Sequence, residues 1–185
     1  MTDISHKGLE PAVFAGGCFW CVEADFAKRP ALKDIESGYT GGETDDPAYA
    51  NAGAEGHREA VRVWYDPSDT SYRELVAYFF TIHDPTDAGG SFHDRGHTYT
   101  SAIYYATDAQ KEVAEEVIET LVKANVFEKE ITTQVEPLDT FWSAEEYHQN
   151  YADKNVGHYK LYRSASGRDD FKSEHKEEVF EALDL

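Results

Sequence analysis

The two cysteines of the chain lie three positions apart and are the residues best suited to covalent chemistry. They are Cys18 and Cys21, in the run G-G-C-F-W-C, and the 185-residue sequence has no other cysteine. A disulfide between them would close a very short loop and would stabilise the fold little. A C-x-x-C pair therefore indicates a redox couple, a metal site or two unrelated buried thiols. One turn apart on a helix, the two residues lie within the distance that a disulfide accepts. This spacing favours a reducible, catalytic couple.

Local patterns place Cys18 where a strand turns into a helix. Residues 12–17 form a short apolar run that ends in two glycines, which predicts a buried strand, and the following apolar residues have helical spacing up to Pro30. The first turn of a helix has free backbone N–H groups and the positive end of the macrodipole. We therefore expect the Cys18 thiol to favour its thiolate form, with Phe19 and Trp20 lining an apolar pocket beside the sulfur.

A second predicted strand carries a candidate proton donor. Residues 58–65 alternate in polarity, so Glu59 shares the core-facing side with the valines of this strand. A carboxyl group on that face loses its hydration, which raises its pKa and lets it hold a proton near neutral pH. Pairing of Glu59 with a neighbouring arginine is the alternative. Another strand is predicted at about 101–106. Alternation puts Tyr99, just before it, on the same face as Ser101, Ile103 and Tyr105, which is compatible with an inward hydroxyl.

The remaining pattern mixes strands and helices without strict alternation. Capping boxes predict helices that begin after Ser71, Thr107 and Ser143. Further strands are predicted at 31–39 and 131–138. This order favours one α+β domain, a two-layer α/β sandwich of ferredoxin-like type with a mixed, largely antiparallel sheet. We expect its core at about 10–160 and a charged C-terminal extension at about 164–185 that forms a surface helix.

The composition excludes several classes of protein. Acidic residues outnumber basic ones 36 to 17, which gives a formal charge of −19, and such a surface repels nucleic acid and anionic membranes. No apolar run approaches the ~20 residues that span a bilayer, and the first residues lack the charged-then-apolar pattern typical of a signal peptide. We therefore expect a soluble, cytoplasmic monomer. The acidic surface keeps the protein in solution, or it reflects a high-salt cytoplasm in which counterions screen the repulsion.

Several sequence blocks between about residues 10 and 160 resemble those of the A-type peptide-methionine sulfoxide reductases, in the family's order. They are G-C-F-W-C at 17–21, G-Y-T-G-G at 38–42, G-H-R-E-A-V-R-V at 56–63, D-R-G at 94–96 with Tyr99, T-S-A-I-Y-Y at 100–105 and E-E-Y-H-Q-N-Y at 145–151. The resemblance implies a mixed α/β sandwich that reduces the S epimer of methionine sulfoxide, free or in proteins, and so repairs oxidative damage. It implies thioredoxin or a similar dithiol as the reductant, and no cofactor or metal.

The resemblance also assigns roles to residues at matching positions. Cys18 attacks the sulfoxide sulfur, releases methionine and becomes a sulfenic acid. Glu59 supplies a proton to the sulfoxide oxygen, a poor leaving group until protonated, and the hydroxyls of Tyr39 and Tyr99 hydrogen-bond to that oxygen. The positions expected to bind the substrate are Phe19 and Trp20, which hold its methyl group, and Asp94.

One departure from the family pattern concerns the thiol that resolves the sulfenic acid. Many relatives carry resolving cysteines near the C-terminus, whereas this chain has none after Cys21. Cys21 replaces the usual glycine of the motif, so we hypothesise a Cys18–Cys21 disulfide; direct reduction of the sulfenic acid by an external thiol is the alternative. Two other functions stay open: a general thioredoxin-like disulfide oxidoreductase, and a metal-binding module in which His93 and His97 join the cysteines around zinc.

Overall fold

The computed structural model describes residues 6–185. Its strands are β1 (Glu10–Ala15), β2 (Leu32–Thr40), β3 (Arg58–Tyr65), β4 (Gly90–Ser91), β5 (Asp94–Arg95), β6 (Ala102–Tyr105), β7 (Gln134–Pro137) and β8 (Trp142–Ser143). Its helices are α1 (Phe19–Phe26), α2 (Tyr72–Ile82), α3 (Asp108–Lys123), α4 (Tyr151–Lys154), α5 (Val156–Ala165) and α6 (Arg168–Ala182), with a short 3-10 helix at His97–Tyr99. Among the helices of this part of the chain, none has both the length and the apolar composition that crossing a bilayer requires.

Six of these strands form one sheet, in the order β7-β6-β1-β3-β2-β8. Within residues 6–185 every neighbouring pair in the sheet is antiparallel except β6 and β7, which confirms the prediction of a mixed, mostly antiparallel sheet. Strands β4 and β5 pair separately as a small hairpin. Tyr39 on β2 lies directly opposite Glu59 on β3. Because opposite residues of neighbouring strands point to the same face, the sheet itself brings these two predicted site residues together.

The main core lies between one face of this sheet and the helices, and α2 is buried along almost its whole length. The alternation predicted for β3 is confirmed, since Val61 and Val63 join this core. Ala60 points to the opposite face, where it packs with Val13 and Tyr104 in a smaller apolar cluster. Glu59 therefore points from β3 into the helix-covered side of the sheet, as its position in the alternation requires.

Two of the three predicted helix starts are confirmed. The Ser71 hydroxyl accepts a hydrogen bond from the backbone N–H of Glu74, and the Glu74 side chain accepts one from the N–H of Ser71, so α2 begins with a complete capping box. At α3 the Thr107 hydroxyl accepts from the N–H of Gln110. Each cap satisfies a backbone donor that the helix leaves free.

The third predicted helix start, at Ser143, is wrong. Ser143 ends β8, which pairs with the free edge of β2, and its hydroxyl bonds to the Glu36 carboxylate. The Ser143 hydroxyl is therefore used in a contact between strands and does not cap a helix. Helix α4 starts only at Tyr151. The strand predicted at 131–138 is also shorter than expected, since only β7 (Gln134–Pro137) pairs with β6.

The segment predicted as a charged surface extension is part of the packed structure. Its helix α6 lies against α2, and Val179 and Leu183 belong to the main core. Arg168, the first residue of α6, is fully buried. The segment forms the expected helix with most of its residues exposed, but one face of that helix is buried in the core. Its few apolar residues are poorly grouped on one face of the helix, so the sequence pattern indicates little of this burial.

Candidate active site

Cys18 occupies the turn between β1 and α1, as the sequence predicts. It is the N-cap residue of α1, and its carbonyl accepts the backbone N–H of Cys21 at 3.0 Å. Gly17 before it has a φ of +92°, in the left-handed region that favours glycine. A Cβ at Gly17 would overlap with the side chains of Arg168 and Ser91. The side chains of Arg168 and Ser91 therefore fill the space beside Gly17, and this position of the turn before Cys18 has no room for a larger residue.

The two cysteines are reduced, and their sulfurs share a hydrogen bond. Burial raises the pKa of the Cys18 thiol well above its ordinary value, and the contacts with Cys21 and Glu59 add to this. The hydrogen bond from Cys18, helped by two arginine side chains, lowers the pKa of Cys21 to about 6. These directions favour the thiolate at Cys21 over Cys18 in the resting pair, whereas the helix start alone favours it at Cys18. Burial of Cys18 opposes the effect of the helix dipole there.

Glu59 is buried beside the start of α1. The residue is 4% exposed, and its Oε2 accepts the backbone N–H of Phe19 at 2.9 Å. Burial raises the pKa of Glu59 to about 8, although the bond from Phe19 lowers it in part, and the negative charge of Asp94 contributes to the rise. The carboxyl is therefore mostly neutral at pH 7, adjacent to the residue that follows Cys18.

Tyr39 lies beside Glu59, and its hydroxyl donates to the Glu145 carboxylate at 2.9 Å. Burial and this carboxylate raise the pKa of Tyr39, so the phenol stays protonated. The second oxygen of Glu145 accepts the backbone N–H of Tyr49 at 3.0 Å. Tyr49 is exposed, and its ring lies 6.5 Å from that of Phe19. Glu145 thus ties together the strand that carries Tyr39 and the loop that carries Tyr49 at the opening of the site.

Tyr99 approaches the site, although not from the strand that the alternation predicts. It ends the 3-10 helix before β6, so the argument from strand parity is wrong. Burial raises the pKa of Tyr99, with further contributions from the charges of Glu59 and Cys18. Asp94 comes from the β4–β5 hairpin and accepts a hydrogen bond from the hydroxyl of Tyr162 on α5. Burial and the charge of Cys18 raise the pKa of Tyr162 as well, so a third phenol stands at the nucleophile.

The two aromatic residues that follow Cys18 differ in their surroundings. Phe19 is fully buried, with its ring 5.0 Å from that of His148. Trp20 is half-buried; it stacks on Tyr151 at 3.8 Å and donates its indole N–H to His148 Nδ1 at 3.0 Å. Because the indole is held on one face and at its nitrogen, Trp20 is the better placed of the two to offer a fixed apolar surface to a substrate methyl group.

Several residues at the site carry no functional signal in the pattern of the sequence. The block E-E-Y-H-Q-N-Y belongs to the family resemblance, but only the structure shows its His148 supporting Trp20 and its Glu145 holding Tyr39. Arg163 and Arg168 lie in a segment that reads as a solvated, charged helix. Both act on the pKa of Cys21. Only the packing of the C-terminal helices reveals them.

The metal-binding alternative finds no support in the arrangement of these side chains. His93 and His97 are exposed, and His97 bonds to the backbone carbonyl of Gly56 at 3.0 Å, whereas both cysteines are buried. Within residues 6–185, no group of three or more His, Cys, Asp or Glu side chains is arranged to hold a metal ion. The cysteine pair instead faces protonated acids, phenols and arginines, a setting for thiol chemistry.

Comparisons with known proteins point to one family. Residues 10–179 match the family described as PMSR, Peptide methionine sulfoxide reductase. The Peptide methionine sulfoxide reductase MsrA of Bacillus velezensis is 46% identical over 168 residues, which cover 90% of this chain and 95% of that protein. The structure of Mxr1 from Saccharomyces cerevisiae in reduced form is 34% identical, with a TM-score of 0.75 over 83% of this chain and 90% of that one. Mxr1 in complex with Trx2 is 27% identical, with a TM-score of 0.56 over 82% and 91%. Because the family's model matches residues 10–179 and a relative 46% identical covers 90% of the chain, this chain belongs to the peptide methionine sulfoxide reductase family.

Proposed function

We propose that this chain reduces the S epimer of methionine sulfoxide to methionine, free or within proteins, with Cys18 as the nucleophile. The observation that carries this proposal is the hydrogen bond of 2.9 Å between the Phe19 N–H and Glu59, which fixes a mostly neutral carboxyl beside the cysteine. A sulfoxide needs a nucleophile at its sulfur and a proton at its oxygen in the same step. These two groups supply both.

The first half of the reaction consumes the sulfoxide. The Cys18 thiol passes its proton to the Cys21 thiolate through their shared hydrogen bond, and the Cys18 sulfur then attacks the sulfoxide sulfur. Glu59 donates its proton to the sulfoxide oxygen, while Tyr39 and Tyr99 donate hydrogen bonds to it. Transfer of that oxygen to the Cys18 sulfur releases methionine and leaves a sulfenic acid on Cys18.

The second half restores the cysteines. Cys21, which holds the proton it received from Cys18, gives that proton to the hydroxyl of the sulfenic acid; its sulfur attacks the Cys18 sulfur and the hydroxyl leaves as water. The product is a Cys18–Cys21 disulfide, and the positions of the two residues one helical turn apart support it. Thioredoxin or a similar dithiol then reduces this bond. The complex of yeast Mxr1 with Trx2 supports a reductant of this kind.

We also propose specific roles for the groups around the substrate. Trp20 receives the methyl group of the sulfoxide, with Phe19 behind it, because its ring is fixed by Tyr151 and His148. Asp94, held by the Tyr162 hydroxyl, organises the side of the pocket that faces Glu59.

Three further proposals concern the type of fold, the number of domains and the oligomeric state. The strands and helices β1-α1-β2-β3-α2-β6, with the sheet order β6-β1-β3-β2, are consistent with a ferredoxin-like sandwich of two layers. We propose that this unit and the C-terminal helices fold as a single domain. Because every group named in the reaction comes from one chain, we propose that the protein acts as a monomer.

The decisive experiment compares the wild type with Cys18→Ser and Cys21→Ser. Each is given the S or the R epimer of methionine sulfoxide, first without a reductant and then with thioredoxin and its reductase. We expect the wild type to form one methionine per chain from the S epimer and to show an 18–21 disulfide by mass spectrometry. Cys21→Ser should also form one methionine but retain a sulfenic acid, and Cys18→Ser should form none. Turnover by Cys18→Ser contradicts the mechanism, and a wild type that retains a sulfenic acid without a disulfide contradicts the recycling step.

A further inference from the structure

Arg168 is a buried cation without an anionic partner. Its side chain is 0% exposed, and its guanidinium donates only to neutral groups: the carbonyls of Gly16 and Ile82 at 3.2 and 3.1 Å, and the Ser91 hydroxyl at 3.3 Å. Its Nε has no hydrogen-bond partner, and among residues 6–185 no carboxylate lies within ion-pair distance of it. An isolated buried charge is costly unless an opposite charge offsets it. The ring of Phe92 lies 4.8 Å from the guanidinium carbon and offsets part of this cost, and a negatively charged group near Arg168 would offset more.

The position of Arg168 indicates which group that is. The guanidinium abuts the turn that presents Cys18, because a Cβ at Gly17 would overlap with it. Its charge acts on three buried acidic groups, namely Cys18, Cys21 and Glu59. Glu59 is mostly neutral at pH 7, and Cys18 keeps its proton in the resting pair. The sulfur of Cys21 is the remaining candidate for the counter-ion.

A second arginine approaches Cys21 from the neighbouring helix. Arg163 on α5 donates to the Asp25 carboxylate at 2.7 Å, and Asp25 lies one turn after Cys21 on the same face of α1. Arg163 is therefore held over the face that carries Cys21, and its guanidinium approaches the sulfur. Asp25 also accepts ion pairs from Lys172 and Lys28, at 3.0 and 3.2 Å. Arg163 also pairs with the exposed Asp169 at 2.7 Å. Three cations thus meet two carboxylates, so positive charge exceeds negative charge on this side of α1.

The groups that face Cys21 come from every element packed around it. They are Cys18 and Asp25 on α1, Glu59 on β3, Tyr159, Tyr162 and Arg163 on α5, and Arg168 on α6. The phenols and Glu59 are neutral at pH 7, and Asp25 is offset by its own cations. The two arginines thus add to the hydrogen bond from Cys18 in favouring the charged form of the Cys21 sulfur.

The two sulfurs also differ in their access to solvent. Cys21 is 0% exposed and Cys18 is 6% exposed. In thiol–disulfide exchange the attacking thiolate must reach one sulfur, and the other leaves faster when its pKa is lower. A reductant that approaches from solvent therefore meets the Cys18 sulfur first. The Cys21 sulfur lies deeper, where Arg168 and Arg163 stabilise its negative charge when it leaves.

We propose that Arg168 and Arg163 are positioning residues that hold the Cys21 sulfur as a thiolate, so that an external dithiol attacks Cys18 and expels Cys21. The inference rests on the Cys18–Cys21 disulfide of the proposed function. A thiolate of the dithiol bonds to the Cys18 sulfur while the 18–21 bond breaks, and its electron pair leaves on Cys21. The second thiol of the dithiol loses its proton to water and attacks its own partner sulfur in the mixed disulfide. This frees Cys18, which takes up a proton, and oxidises the dithiol to a disulfide.

The first test identifies the sulfur that the reductant attacks. Wild-type protein is oxidised with methionine sulfoxide, and the 18–21 disulfide is verified by mass spectrometry. It is then mixed with a thioredoxin whose second active-site cysteine is serine, quenched with acid and digested. We expect the mixed disulfide on Cys18. A mixed disulfide mainly on Cys21 overturns this inference but leaves the proposed function intact, whereas failure to form the 18–21 bond overturns the recycling step together with the inference.

The second test changes the arginines. Arg168→Met is compared with Arg168→Lys and with Arg73→Met, which removes a half-buried arginine on α2 that pairs with Glu116 on α3. We expect Arg168→Met to raise the pH midpoint of the thiolate absorbance by about one unit and to slow reduction of the disulfide about tenfold at pH 7. Lysine should restore part of both effects, and Arg73→Met should change neither.

Arg163→Met provides the same measurements if Arg168→Met does not fold, and we expect a shift in the same direction. A purely structural role would lower the melting temperature and leave the pH midpoint where it is. An unchanged midpoint in a folded Arg168 or Arg163 variant therefore overturns the proposal.

Discussion

Replacement of Glu59 by Gln should change the pH dependence of stability by an amount that the structure sets. The pKa of Glu59 rises from 4.5 to about 8 on folding, chiefly through burial. A group with a raised pKa contributes its full stability below 4.5 and loses it as the pH rises towards 8, because the unfolded chain releases the proton more readily. Each pH unit in this window removes about 1.4 kcal/mol. The wild type therefore loses about 3 to 4 kcal/mol through this group between pH 5 and pH 8.

Glu59→Gln keeps an oxygen that can accept the Phe19 N–H but has no proton to lose. Urea unfolding of both proteins at several pH values, followed by circular dichroism, gives the difference in their free energies of unfolding. We expect this difference to shift in favour of the variant by about 3 to 4 kcal/mol from pH 5 to pH 8. Glu112→Gln, at an exposed position on α3, is the matched control, since an exposed carboxylate keeps its hydration. A difference for Glu59→Gln that stays constant with pH refutes the assignment of a buried, protonated carboxyl.

Four further outcomes can be measured. In steady-state kinetics, kcat/KM of the wild type should fall above about pH 8 as Glu59 loses its proton. In Glu59→Gln, kcat/KM at pH 7 should be about 100-fold lower and should no longer fall in this alkaline range. A variant whose kcat/KM still falls above pH 8 contradicts the role of Glu59. Tyr39→Phe should lower kcat about tenfold with little change in KM, since it removes one donor to the reacting oxygen; an unchanged kcat argues against that contact. Gly17→Ala should lower the free energy of unfolding by at least about 1 kcal/mol, because of its φ of +92° and the overlap with Arg168; urea titration checks this. The melting temperature should rise between low and molar salt, because counterions screen a net charge of −19; a flat response excludes adaptation to high salt.

The parts of the fold that the sequence predicts well are those that local burial decides. Strand β3 runs from Arg58 to Tyr65 with the predicted face inward, and Glu59 follows from that alternation. The glycine pair and the helical spacing after it place Cys18 at the start of α1. In these cases one face of an element is buried and the other is not, so the periodicity of the sequence carries the information.

The parts that local patterns miss depend on contacts between distant residues. The sequence around Ser143 resembles the start of a helix, but Ser143 belongs to β8, which pairs with the edge of β2. Tyr99 is reached by a 3-10 turn that no alternation indicates. The pKa values of the two cysteines depend on their burial and on two arginines more than 140 positions away in the sequence. The position of Cys18 at a helix start does not reveal these contributions. The family resemblance supplies roles for matched positions but not the arginines of the C-terminal helices.

The bond between Arg168 and Gly16 joins residues 152 positions apart, which has a consequence for biosynthesis. Closing so long a loop is among the slower events in folding, and on the ribosome the cysteines emerge well before the cation that serves them. A nascent chain holds both thiols exposed and without their electrostatic support, so they behave as ordinary cysteines until the last helices dock. Completion of the fold buries both sulfurs and adds the cations beside Cys21, so the redox couple exists only in the finished protein.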